Sequence, residues 1–148
     1  MEVVVDRSGS MQAEMDYRGK KLNRLETVKR VIAEFIKGGE GFSGRSSDLI
    51  GLVTFARYAD TKCPLVHSHD ILVEFLRQTE IVKMRSEDGT AIGDAIALAA
   101  ARLKKAEEEI ERRRAQLGLS GADDSDISED TGFKIKSKVI ILLTDGIN

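Results

Sequence analysis

Asp6-Arg7-Ser8-Gly9-Ser10 puts one carboxylate and two hydroxyls on a five-residue stretch, with Gly9 letting the backbone bend between them. All three are hard oxygen donors. Mg²⁺ prefers octahedral oxygen coordination at about 2.0–2.1 Å and gives up its waters reluctantly, so neutral hydroxyls with water-bridged carboxylates suit it, Mn²⁺ or Ca²⁺ being alternatives. A cation held by few charged groups keeps an appetite for an anion. Two further oxygen-bearing positions lie far along the chain, Thr90 in Asp88-Gly89-Thr90 and Asp145 in Thr144-Asp145-Gly146. Each adjoins a predicted helix start or strand end, and a doubly wound topology would bring all three loops together.

The elements that must do this positioning are legible as periodicities. Val3-Val4-Val5 is a short β-branched run ending at Asp6, as a buried strand meets a functional loop. Leu25, Val28, Ile32 and Phe35 recur at helical spacing within Leu22 to Lys37, and Gly38-Gly39 supplies the stop. Leu49 to Phe55 is a second strand, with Tyr58 to Pro64 returning beside it and Pro64 marking an edge or an end. Ser68 is placed to cap a short helix carrying Ile71, Leu72, Phe75 and Leu76. After the charged connection Ile81 to Gly89, a long helix runs from just past Thr90 through Ala95, Ile96, Leu98, Ala99 and Leu103 to Gln116. Its charged second half leaves Ile110 and Leu117 as its sizeable apolar anchors. Gly118 to Lys138 reads as a solvated loop, and Val139 to Leu143 as the most hydrophobic strand. Alternating strands and helices, with continuously apolar strands, predict an α/β fold: a three-layer, doubly wound, Rossmann-like sandwich with a mostly parallel sheet and one antiparallel edge strand. Ligands bind such sheets at the carboxyl ends of strands, where Asp6 and Asp145 stand.

Composition narrows the function. The 148 residues suffice for one domain with a real core, and a net charge of −2 with no basic stripe argues against nucleic acid or anionic membrane surfaces as partners. Cys63 is the sole cysteine, which excludes an intrachain disulfide and a cysteine-based zinc site. No apolar stretch reaches the length of about 20 residues that a bilayer requires, and the start lacks the pattern of a signal peptide.

The Asp-x-Ser-x-Ser turn after an apolar strand, a later loop threonine, and a Thr-Asp-Gly after a second apolar strand together resemble the metal ion-dependent adhesion site of von Willebrand factor A domains. All five positions are filled, by Asp6, Ser8, Ser10, Thr90 and Asp145. The resemblance implies that the serines and the threonine contact the metal, that the aspartates act through water, and that a partner's Asp or Glu carboxylate completes the shell. It implies a non-catalytic protein-binding module. Asp6 to Met11, Leu49 to Phe55, Cys63-Pro64-Leu65, Asp88 to Ala99 and Val139 to Gly146 look like bacterial aerotolerance-type Bat proteins, which implies a membrane-anchored parent with an exposed A domain. Two departures stand out. Full A domains continue with further strands and helices past the position of Asn148, so the expectation is a single domain over 1–148 without them, leaving Val139 to Leu143 an apolar edge. Residues 104–136 form a charged helical extension and a flexible acidic insert not matched by the family.

Blander and rival readings accompany these. Asp6, Ser8 and Ser10 are also residues that cap helices, Thr90 is also a candidate N-cap, and Asp94 reads as a helix-surface carboxylate. His67, His69 and Asp70 have a spacing that chelates transition metals but read better as a loop; Asp123, Asp124, Asp126, Glu129 and Asp130 lack the glycine of an EF-hand turn. The enzymatic rival is a haloacid dehalogenase-type phosphatase with Asp6 as nucleophile. That chemistry needs a second aspartate two positions on as general acid, and Ser8 cannot titrate in its place. A serine hydrolase is weaker still, since no Gly-x-Ser-x-Gly elbow occurs. A purely structural module with a degenerate site is the third reading.

Overall fold

Val3-Val4-Val5 lies at the middle of a strand, β1 (Glu2–Asp6), in which every residue is buried. The computed structural model describes residues 1–39, 41, 43–117, 135 and 137–146. After β1 a 3-10 turn (Gly9–Gln12) leads into a hairpin of β2 (Glu14–Tyr17) and β3 (Lys20–Asn23), then helix α1 (Arg24–Lys37). Strands β4 (Ile50–Phe55) and β5 (Ala59–Val66), helices α2 (His69–Arg77) and α3 (Ile92–Gln116), and strand β6 (Ile140–Leu143) follow. The main sheet has the order β5-β4-β1-β6. β1 pairs in parallel with β4 and with β6, while β5 runs antiparallel to β4, which is the expected mostly parallel sheet with one antiparallel edge strand.

Alternation along β1 divides the core. Val3 and Val5 face a cluster containing Leu25, Ile32 and Ile36 of α1 and Leu72 and Leu76 of α2. Val4, on the other face, meets Val53 and Phe55 together with Ala95 and Ala99 of α3. The sheet is thus covered on both sides, and for that reason its inner strands are apolar at nearly every position rather than at alternate ones. Small alanines at the contact let α3 lie close to the sheet.

Three local expectations are corrected and one is sharpened. Leu22 belongs to β3, paired with Met15, and α1 begins at Arg24 because the Asn23 side chain caps it, accepting from Glu26 N at 2.7 Å. Ser68 precedes α2 without a side-chain capping bond, and Ile71 and Phe75 turn outward while Leu72, Val73 and Leu76 fill the core. Neighbours in a helix point about 100° apart, so the stripe of Leu72, Val73 and Leu76 that faces the sheet leaves Ile71 and Phe75 at its margins. Pro64 lies inside β5, marking the edge strand as expected and not its end. The pairing shifts between Ile50↔Val66 and Leu52↔Cys63, and this irregularity on an edge strand accommodates a residue without an N–H. Leu117 is 69% exposed and anchors nothing; the outer half of α3 carries i,i+3 and i,i+4 ion pairs such as Arg112–Glu109 and Lys104–Glu108. The acidic cluster Asp123 to Asp130, and with it most of the insert expected over 104–136, lies outside the described residues. Lys138 reaches back to pair with Glu107 of α3.

One polar group is buried far from the loops. Glu2, 0% exposed, receives Arg102 Nε on Oε1 at 2.9 Å, and the same guanidinium donates to Thr61 Oγ1 and to the Cys63 carbonyl, tying α3 to β1 and β5. Oε2 has no hydrogen-bond partner among the described residues. Burial pushes the Glu2 carboxyl above its ordinary 4.5, with the Arg102 charge pulling the other way. The folded protein therefore holds this proton to higher pH than the unfolded chain does, and the contribution of Glu2 to stability falls as pH rises through the raised pKa. Urea unfolding of wild type and Glu2→Gln between about pH 4 and about pH 7 should show wild type losing ground to the variant as pH rises; a pH-independent difference would refute this. A Cβ on Gly51 would lie 2.5 Å from Glu2 Oε2, so Gly51→Ala should cost about 1–3 kcal/mol in the same assay, an overpacking penalty.

Candidate functional site

Parallel pairing aligns the carboxyl ends of strands, and Val5 is in register with Leu143, so the residues that follow each of them meet. Asp6 is fully buried. Its Oδ1 accepts from Ser8 N at 2.8 Å and its Oδ2 from Thr144 Oγ1 at 2.6 Å, so both oxygens are satisfied by neutral donors. Ser8 is 3% exposed, with its Oγ 3.0 Å from Ser10 Oγ, and Ser10 Oγ donates to Asp145 Oδ1 at 3.1 Å. Since a hydroxyl has one proton and that of Ser10 goes to Asp145, Ser8 is the donor to Ser10. Asp6, Ser8, Ser10 and Asp145 are thereby brought into one cluster.

The loop that carries Thr90 is tied to the first loop through Asp88. Gly9 N donates to Asp88 Oδ1 at 2.8 Å, and Gly89 N donates to the same oxygen at 3.1 Å, so one carboxylate clasps the first loop to the second. A Cβ on Gly9 would stand 2.8 Å from Asp88 Oδ2, which is why this position of the turn is a glycine. The second loop is fixed in turn to the end of β4 by Ala91 N to Ala56 O (2.7 Å) and Arg57 N to Glu87 O (3.1 Å). Thr90 is half-buried on this loop, and its carbonyl accepts from Ile92 N. The N-cap position of α3 belongs to Ala91, so the capping reading of Thr90 is corrected.

Three groups that the sequence did not single out complete the arrangement. Thr144 braces Asp6, Asp88 joins two loops, and Arg24 forms an ion pair with Asp145 through Nη1 and Oδ2, the same nitrogen lying 3.4 Å from the Ser10 carbonyl. The Asp145 side chain is 7% exposed and that of Arg24 31%. A signal for Arg24 was present: a cation at the first position of a helix opposes the helix dipole, so it serves something other than the helix.

The donor set can be tested against a cation by distance. Adjacent ligands of an octahedral ion at about 2.05 Å stand about 2.9 Å apart. The Ser8–Ser10 and Ser10–Asp145 separations of 3.0 and 3.1 Å are ordinary hydrogen-bond lengths that are also compatible with that edge. No group of three or more histidine, cysteine or acidic side chains suited to a metal occurs among the described residues, so any cation here relies on a mixed hydroxyl and carboxylate set. His69 Nε2 instead bonds the Asp48 carbonyl, and Asp70 pairs with Lys37, whose ammonium holds that carboxyl below its ordinary range. Asp94 is exposed in the first turn of α3.

Comparison with known proteins places these loops in context. A family model described as von Willebrand factor type A domain matches residues 1–148. Among solved structures, a membrane-spanning protein from Vibrio fischeri is 32% identical with a TM-score of 0.62, over 72% of this chain and 49% of that one. The conserved hypothetical protein BatB from Bacteroides thetaiotaomicron is 30% identical with a TM-score of 0.57, over 68% and 44%. An aerotolerance-related membrane protein from Bacteroides fragilis is 31% identical with a TM-score of 0.53, again over 68% and 44%. This chain spans about half the length of these structures. No curated protein matches it.

If Asp88 clasps the loops, Asp88→Ala should speed hydrogen exchange at the Gly9 amide and lower stability by about 1–2 kcal/mol, as expected for loss of a charge-assisted bond. Unchanged exchange at Gly9 would show that the clasp is dispensable.

Proposed function

The chain belongs to the von Willebrand factor type A domain family, and from that premise we propose that it is a non-catalytic module that binds a divalent cation, Mg²⁺ first, through Asp6, Ser8, Ser10, Thr90 and Asp145. The cation then engages an acidic residue of a protein partner. Domains of this family commonly mediate protein interactions. The observation that carries the reading for this chain is the Ser10 hydroxyl, bonded at once to Ser8 and to Asp145 at spacings that suit an octahedral edge.

Each residue has a distinct task in this reading. Ser8 and Ser10 supply neutral oxygens, and Thr90 a third from the loop that Asp88 holds in place. Asp6 and Asp145 supply the charge that selects a cation, and Thr144 and the Ser8 amide keep Asp6 oriented. When bound, the ion would offer an electropositive point to a carboxylate from outside. The membrane-protein descriptions of the similar structures support a bacterial parent associated with the cell membrane, with this domain exposed. Among the described residues no helix is long and apolar enough to cross a membrane.

Nothing favours the phosphatase reading. Asp6 is fully buried with both oxygens engaged, a poor state for in-line attack on phosphorus, and the general-acid position is Ser8.

Because a ligand that binds only the folded state stabilises it, Mg²⁺ at about 100 times its Kd should add about 2.7 kcal/mol and raise the melting temperature. Ser10→Ala and Asp6→Asn should lose most of that gain while still melting cooperatively. A melt and a calorimetric isotherm both indifferent to saturating Mg²⁺ and Mn²⁺ would sink the proposal, and turnover of a generic aryl phosphate above background would revive the enzymatic rival.

A further inference from the structure

We propose that Arg24 is a built-in counter-ion that competes with the divalent cation for Asp145 and so weakens cation binding. The inference rests on the cation reading above and deepens it.

The first argument is placement. Arg24 opens α1, where the helix dipole disfavours a positive charge, and the acidic residue usual in a first turn is supplied by Glu26 instead. The guanidinium turns away from the helix toward the Ser10 carbonyl and the Asp145 carboxylate, which lies 121 positions on. Nor is this a solvent-screened surface pair, since the Asp145 side chain is 7% exposed.

The second argument is charge. Asp6 and Asp145 bring two negative charges to one cluster, linked through Ser8, Ser10 and Thr144. Asp6 accepts from the neutral Ser8 amide and Thr144 hydroxyl, whereas Asp145 is paired with the Arg24 guanidinium. Asp88, bonded to Gly9 N, adds a third carboxylate on the neighbouring loop, so a divalent ion and Arg24 together balance the three. The same guanidinium must repel the incoming ion and already occupies Asp145 Oδ2.

Calorimetric titration of Mn²⁺ into the full chain tests this in wild type, Arg24→Gln and Arg24→Lys. A charge within about 4–6 Å moves a proton equilibrium by one to three units, so removing Arg24 should tighten Mn²⁺ binding by about tenfold or more, while Arg24→Lys stays within about threefold of wild type. In chelator Arg24→Gln should melt below wild type, with Mn²⁺ closing the gap. Equal or weaker Mn²⁺ binding by Arg24→Gln overturns the proposal, as does Arg24→Lys binding as tightly as Arg24→Gln. Should Arg24→Gln fail to fold, the wild type decides: side-chain NMR signals of Arg24 should shift on Mg²⁺ saturation, and signals that stay fixed refute the competition. Absence of cation binding by wild type itself would instead bring down the underlying reading along with this one.

Discussion

A carboxylate cut off from water must be met by donors, and at the end of β1 that requirement organises the structure. Asp6 is fully buried, and the groups that meet it come from the turn that follows and from the strand beside it. A Thr144 hydroxyl can reach Asp6 only if β6 lies parallel to β1 in the register that pairs Val5 with Leu143. The Ser8 amide can reach it only if the chain turns sharply after Arg7, whose own N–H is held by the Phe55 carbonyl of β4. Both neighbours of β1 are thus involved in satisfying the turn and carboxylate at its end. The cost of leaving such a group unpaired, several kcal/mol, is large against the stability of a domain of this size.

The two ends of β1 show what kind of partner matters. Glu2 and Asp6 are both buried acids on one short strand. Glu2 is answered by a full charge, Arg102, whose other two nitrogens bind Thr61 and Cys63, and the result is a cross-brace between α3 and the sheet. Asp6 is answered by an amide and a hydroxyl, which orient it without cancelling its charge. Glu2 is paired with a charge through one oxygen only, whereas Asp6 is met by neutral groups on both. The two are equally buried, so burial alone does not distinguish them.

Much of this was legible in the sequence because it depends on local pattern. Continuous apolar runs leading to Asp6 and Asp145 announced parallel strands, and the start and finish of α3 fell where Thr90 and Gln116 suggested. The antiparallel edge strand was also foreseen, although Pro64 proved to lie within it. What escaped notice depended on side chains meeting across long separations. Arg24 and Asp145 are 121 positions apart and Gly9 and Asp88 79, and neither periodicity nor spacing reports such pairs. The β2–β3 hairpin was missed for a different reason: its exposed residues, such as Glu14, Asp16, Lys20 and Lys21, have no buried face to create an alternating pattern.

That hairpin explains how a helix residue comes to serve a loop. Between Ser10 and Arg24 the chain leaves the site, runs out along β2 and returns along β3, with Arg18 at positive φ and Gly19 in the turn. Arg24 N then bonds the Ala13 carbonyl at 2.9 Å, closing the base of the excursion, while Ala13 N is held by Ser10 O at 3.2 Å. Two bonds therefore fix the first residue of α1 against Ser10 at the end of the Asp6–Ser10 turn. The Asn23 cap fixes the direction in which α1 departs, and Leu25, Ile32 and Ile36 bury its inner face against the sheet. The guanidinium of Arg24 is in this way delivered by a packed helix and a closed hairpin rather than by a free loop. A charge held on such a frame stays beside Asp145 whatever the outer part of the hairpin does, because the closure lies at its base and not at its tip.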